Sequence, residues 1–312
     1  MGCKSASAGT SSQQSPDPQE FNCRNRRNGS SVDSAKRYRM PVNLLPAAAD
    51  IPDPLPVVCF AFGDFHGMTE TYVSRLFGML SRHCPHPFRL YCYTDRPRQL
   101  PMQIEQRDCG GWSELVRDGM RPTTRKLGLF NPGYVEFDRF LYLDISLIVR
   151  RDMSDLLAQA FARAEDLVIV SHWRNEGYNS SVMRIRREGL GRVYDAFVRG
   201  EVYEQCVPGD QDFIHGAVVR HQLQRHVGHF PVDQIASFKD VVRVGRRSAA
   251  QARQVIERAT IVKFHGSPKM HEAFALRYGI HLRVEEVLHG NIRPVMPLRQ
   301  LRQEWLGRSP GI

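Results

Sequence analysis

RFLYLDISLIVRRDMSDLL, residues 139–157, is the stretch on which the fold turns. Arg139 to Leu143 form a strand-length run that ends on a single carboxylate, Asp144. Ser146 follows two positions later, and then a second apolar run, Leu147 to Val149. A strand apolar on both faces belongs in a sheet covered by helices on both sides. An acid at its carboxyl end sits where open α/β sheets bind ligands.

The flanking chain repeats this grammar. Upstream, VVCFAF (57–62) is a second continuous apolar run, closed by Gly63-Asp64. TETYVSRLFGMLSRH (69–83) places Tyr72, Val73, Leu76, Phe77 and Leu80 on one helical face. FRLYCYTD (88–95) is a strand that ends on Asp95, and TTRKLGLF (123–130) has a helical pattern stopped by Asn131-Pro132-Gly133. Downstream, a helix is predicted over 152–164, strands over 166–171 and 178–186, and a helix over 189–200. ATIVKFHGSPKMHE (259–272) reads as a strand running into a loop. Alternation of strand and helix predicts an α/β fold, a mostly parallel sheet flanked by helices. Asp64, Asp95 and Asp144 then share one rim, more acids than turn chemistry alone asks for, which points to a ligand site.

Composition sets the outer limits. With 42% hydrophobic and 24% charged residues the chain can bury an ordinary core. Residues 1–50 are rich in Ser, Gln, Asn, Gly and Arg and carry +3; they read as a disordered basic tail ending in the proline-rich linker PAAADIPDPLP (46–56). Residues 276–312 form a second basic segment, also +3, beyond a core expected over 51–275. Basic ends suit contact with an anionic membrane surface or a phosphate-bearing ligand. Solvated tails without a partner are the plain alternative. RNRRN (24–28) comes with no reader motif, so no nucleic acid is expected. Seven cysteines without a CxxC pair argue against a disulfide framework or a zinc site and suit a reducing compartment. The first twenty residues lack an apolar signal segment, and no run of eighteen apolar residues exists. A cytoplasmic location is expected.

Four segments in order resemble a known pattern. FLYLDISLIVRRDMSDL is similar to the Leu-Asp-x-Asp strand-and-loop motif of nucleotide-sugar glycosyltransferases of the GT-A fold. YNSSVM (178–183) resembles their Asn-Ser/Ala-Gly-Val/Ile segment, DQDF (210–213) their Asp-Gln-Asp helix start, and VKFHGSPKMHE (262–272) their His…Gly…Lys-Pro loop. Order and spacing over roughly 57–275 most resemble glycosyltransferase family 8 and related bacterial surface-polysaccharide enzymes.

The resemblance implies a retaining transfer from a nucleotide diphosphate sugar, UDP-linked, to a glycan or lipid-linked acceptor. It implies a divalent ion, Mn²⁺ or Mg²⁺, held by Asp144, the motif position Ser146 and His265. The chain departs from the pattern twice. Ser146 stands where a second Asp is expected, and Lys263 where the metal-binding His would lie, three residues before Gly266. Asn179, Ser180, Ser181 and Asp210 would contact the donor, although Ser181 replaces the expected Gly. Gln211 and Asp212 would face the anomeric carbon. Gly266 and Lys269 would meet phosphate, and Lys126 would approach the diphosphate. Asp64 and Asp95 are candidates to meet the nucleoside. Two rival readings stay open: a non-catalytic sugar-nucleotide binder of the same fold, and a nucleotidyltransferase, for which GDFHGMTE (63–70) lacks the basic phosphate loop.

Overall fold

A computed structural model describes residues 50–65, 67–173, 176–187, 189–203, 209–243, 249–266, 269–274 and 298–307. The expectations for residues 1–49 lie outside these.

Seven strands form the main sheet in the order β3-β2-β1-β4-β7-β6-β8. They are β1 (Leu55–Ala61), β2 (Phe88–Thr94), β3 (Ile104–Asp108), β4 (Arg139–Leu143), β6 (Leu167–Ser171), β7 (Tyr178–Arg186) and β8 (Val227–His229). β1 runs parallel to both β2 and β4, and β3 parallel to β2. β7 is antiparallel to its neighbours β4 and β6. The first three strands step outward in one direction and β4 returns to the other side of β1. That reversal makes a switch point at the carboxyl ends of β1 and β4, where a crevice opens.

A small second sheet, β5-β10-β9, consists of β5 (Leu147–Val149), β10 (Ile261–Lys263) and β9 (Ile235–Ser237). β10 lies antiparallel to β5 with Lys263 opposite Leu147, so the pairing carries Lys263 to the side of Ser146. The Phe264 N–H donates to the Ser146 carbonyl at 3.0 Å and continues the ladder by one position.

Helices cover the sheet: α1 (Thr69–His83), α2 (Ser154–Phe161), α3 (Gly191–Val198), α4 (Asp210–Arg220), α5 (Phe238–Arg243), α6 (Ala249–Arg258), the short α7 (Met270–Ala273) and α8 (Leu298–Leu306). Two cores result, one on each face. Cys59, Tyr72, Leu76, Leu141, Leu147 and Val262 belong to one, and Val58, Phe60, Trp112, Tyr142, Met183 and Phe213 to the other. This is the alternation expected for a strand apolar on both sides.

Two sequence expectations change. The helix anticipated over 123–130 is a 3₁₀ segment, Pro122–Phe130. A β-carbon on Gly128 would come within 2.6 Å of the Trp112 ring, so the missing side chain lets this segment lie directly on the indole. The Thr124 hydroxyl donates to the Leu115 carbonyl at 2.6 Å and fixes it there. The second change is α8. It buries Leu301 and Trp305 and joins the strand-β5 side of the fold through Arg150, whose guanidinium meets Glu304 at 2.6 and 3.0 Å. The described cysteines Cys59, Cys84, Cys92 and Cys109 are free thiols. Among the described residues, no helix is long and apolar enough to cross a membrane.

Candidate functional site

A cleft of about 400 Å³ opens at the switch point. Phe60 and Phe62 at the end of β1 and Tyr142 at the end of β4 form its floor, with Asp144 beside them. Antiparallel pairing brings the start of β7 to the same place: Leu143 lies opposite Val182, and the Asp144 N–H donates to the Ser181 carbonyl at 2.8 Å. Asn179, Ser180 and Ser181 therefore line the cleft, together with Asp210, Gln211 and Asp212 from the first turn of α4. The 3₁₀ segment supplies Lys126, and the loop after β10 supplies His265, Gly266 and Lys269. Gly266 holds φ +66°, a left-handed conformation that a side chain would strain.

Two buried ammonium groups meet Asp144. Lys126 Nζ is 2.7 Å from its Oδ1, and Lys263 Nζ contacts Oδ2. The Tyr142 hydroxyl donates to Oδ1 at 2.6 Å. Lys263 also donates to Ser146 Oγ at 2.7 Å. Lys126 reaches Asp210 Oδ2 at 3.4 Å and Ser180 Oγ at 3.5 Å, and the Ser180 hydroxyl donates to the same Asp210 oxygen. Asp144 and Asp210 thus balance Lys126 and Lys263 in one hydrogen-bonded set.

The electrostatics follow from that set. Burial alone would raise the Asp144 pKa, but the Lys126 and Lys263 charges outweigh it and hold the carboxyl far below the usual range. Burial likewise works against charge on Lys126, yet two carboxylates overcome it and the pKa rises. Lys263 has one carboxylate and lies near two other lysines, so burial prevails and its pKa falls to about 8. Burial, and then the charge of Asp210, raises the Asp212 carboxyl. Five cationic side chains line the cleft (Arg121, Lys126, Lys239, Lys263 and Lys269) against three carboxylates, which leaves it net positive.

Not every expected site residue comes here. Asp64 and Asp95 are not among the lining residues. The Asp64 carboxylate accepts the Gly67 N–H at 2.8 Å within its own turn. Asp95 clasps two loops: it accepts the Gly63 N–H at 2.8 Å and pairs with the buried Arg98 at 2.7 Å. Conversely, Lys263, Tyr142, Arg121 and Lys239 line the cleft without having been expected as site residues. The available signal for Lys263 was a lone cation inside the apolar run TIVKF.

The divalent ion expected on Asp144, Ser146 and His265 does not fit this donor set. Both Asp144 oxygens already accept ammonium hydrogens, and the Ser146 hydroxyl accepts from Lys263. His265 stacks on Trp173, its ring planes 4° apart, and its Nε2 meets Ser237 Oγ at 2.7 Å. Among the described residues, no group of three or more His, Cys, Asp or Glu side chains converges on one point. An ion bound to Asp144 would lie within about 5 Å of both ammonium nitrogens and meet about 7 kcal/mol of repulsion from each at an effective dielectric of 20.

The chain is similar to several solved structures. WbbM, described as a bifunctional glycosyltransferase, matches with a TM-score of 0.50 at 8% identity, over 83% of this chain and 53% of its own. The glycosyltransferase GlyE of Streptococcus pneumoniae TIGR4 matches at 17% identity and a TM-score of 0.47. The match covers 78% of this chain but only 65% of the length of GlyE. The galactosyltransferase LgtC, solved with donor and acceptor sugar analogues, matches at 13% identity and 0.47, over 81% of this chain and 99% of its own. No family model matches the chain, and no curated protein matches it. With its seven-stranded, mostly parallel sheet, the chain has the GT-A-type fold expected of it.

Proposed function

We propose that this chain is a glycosyltransferase that moves a sugar from a nucleotide diphosphate sugar, UDP-linked, to a hydroxyl of a glycan or lipid-linked acceptor, with retention at the anomeric carbon. The observation that carries the reading is the net-positive cleft at the β1/β4 switch point, into whose walls all four motifs project.

In the reaction the bond from C1 to the diphosphate oxygen breaks and its electron pair leaves with that oxygen. The acceptor oxygen bonds to C1, and its proton passes to the departing phosphate. Arg121, Lys239 and Lys269 attract the diphosphate and oppose the charge that builds on it. Asp210 Oδ2 is occupied by Ser180 and Lys126, so among the described residues Oδ1 is the oxygen left for a sugar hydroxyl. The Asn179 amide donates to Gln211 Oε1 at 3.2 Å and fixes that side chain in the wall of the cleft. In this reading Gln211 and Asp212, which line the cleft, stabilise the positive charge that develops at C1.

A panel of nucleotide sugars, assayed for release of the nucleoside diphosphate, tests the reading. UDP release from one UDP-sugar is the expected result, with the product's anomeric configuration read by NMR. Failure of every nucleotide sugar to bind would remove the proposal. Binding without turnover would favour a non-catalytic binder.

A further inference from the structure

Lys263 occupies the place where the motif pattern calls for an ion. Its ammonium bridges Asp144 and Ser146, the two acid positions of the Leu-Asp-x-Asp pattern. Relative to that pattern, Ser at 146 removes one negative charge and Lys at 263 adds one positive charge. The two changes together supply two units, the charge of a divalent ion. They are also physically coupled, because the β5–β10 register sets the two side chains against each other and Ser146 accepts a hydrogen bond from the residue that replaced the histidine.

The two buried lysines have different capacities. An ammonium carries three N–H donors. Lys126 faces three acceptors, on Asp144, Asp210 and Ser180. Among the described residues Lys263 faces two, on Asp144 and Ser146, so one donor is left on a group that lines the cleft. Arg121, Lys239 and Lys269 add positive charge along the same cleft.

Resting on the donor reading above, we infer that this protein binds the donor diphosphate without a divalent metal, with Lys263 as a built-in cation and Asp144 as the counterion that positions it. As the bond from C1 to the diphosphate breaks, the charge gained by the leaving oxygens is met by the Lys263 N–H and the neighbouring cations. Asp144 acts through the lysines and touches no substrate atom.

Calorimetric titration of the full chain with UDP, GDP, ADP and dTDP, in excess EDTA and then in saturating Mn²⁺, tests this. One nucleotide should bind, with a Kd that differs by less than about threefold between the two conditions. Mn²⁺ alone, followed by electron paramagnetic resonance, should remain free in the presence of the protein. Tightening of about tenfold or more on adding Mn²⁺ would overturn the inference and leave the donor reading standing. No nucleotide binding in either condition would overturn the donor reading and this inference with it. Lys263→Met keeps the length of the side chain without its charge. If it folds, as judged by near-UV circular dichroism, it should bind the nucleotide about tenfold or more weaker in EDTA. Unchanged affinity in folded Lys263→Met would also sink the idea. The wild-type comparison stands whether or not the variant folds.

Discussion

Asp144 accepts three donors on two oxygens, and two of the donors are charged and buried. Removing its charge would strand the Lys263 ammonium without a carboxylate and leave Lys126 with Asp210 alone, in a poorly hydrated floor. Breaking a buried pair by deleting one partner costs about 3–5 kcal/mol. Asp144→Asn should therefore lower Tm markedly as well as abolish turnover, where an exposed metal ligand would have changed activity alone. Thermal denaturation next to a turnover assay checks this, and an unaltered Tm would show that the lysines find other partners. Asp95 gives the opposite expectation. Its carboxyl is held below the ordinary range: burial opposes this, but the Gly63 N–H and the Arg98 charge prevail. A depressed acid stabilises the fold above about pH 4, its unfolded pKa, and that contribution is lost as the pH falls through the folded value. Asp95→Asn should reduce Tm at pH 7, with a smaller difference on acidification, and leave nucleotide affinity unchanged. A weakened Kd would return Asp95 to the binding site.

At the scale of elements, β7 is pinned by a cation that no motif announced. Arg184 is fully buried and donates to four carbonyls, those of Ala160, Arg163, Glu165 and Asp166, at 2.8 to 3.4 Å. It ties the end of α2 and the turn before β6 to the strand that presents Asn179 and Ser180. Arg184→Met should cost about 3 kcal/mol, since one buried and three partly buried carbonyls lose a charged donor; urea denaturation measures it. The same element separates what the sequence discloses from what it hides. β7 itself was legible to the residue, because YNSSVMRIR is apolar with a polar entry. Arg184 was hidden, because an arginine within a strand looks the same whether it faces water or a ring of carbonyls. Likewise β3 (IEQRD) and β8 (VGH) carry too few apolar residues to signal a strand; pairing with β2 and β6 makes them strands. The sequence pattern marks Lys263 only as a missing histidine. Its partner Ser146 is 117 positions away in sequence, and only the β5–β10 register brings them together.

At the scale of the whole molecule, α8 closes the α1 side of the fold. Trp305 packs on Tyr72 with ring centroids 5.5 Å apart, and Arg75 donates to the Leu306 carbonyl at 2.9 Å. Arg150 would be left buried without its Glu304 partner if this helix were lost. Trp305→Ala should cost about 3–5 kcal/mol, as large-to-small changes in packed cores do, and a melting curve reads it directly. These contacts bear on time as well as on strength. A chain leaves the ribosome at about 5–20 residues per second, so the 119 positions between Asp144 and Lys263 take roughly 6–24 s to synthesise. Throughout that interval the nascent strand end has only Lys126 and Tyr142 to meet its acid. The cleft gains its second ammonium only after that delay, and the helix that holds Arg150 follows later still. Competence to bind a diphosphate is thus acquired only once β10 has been made, and a chain halted before it would display the motif without the charge that makes it work.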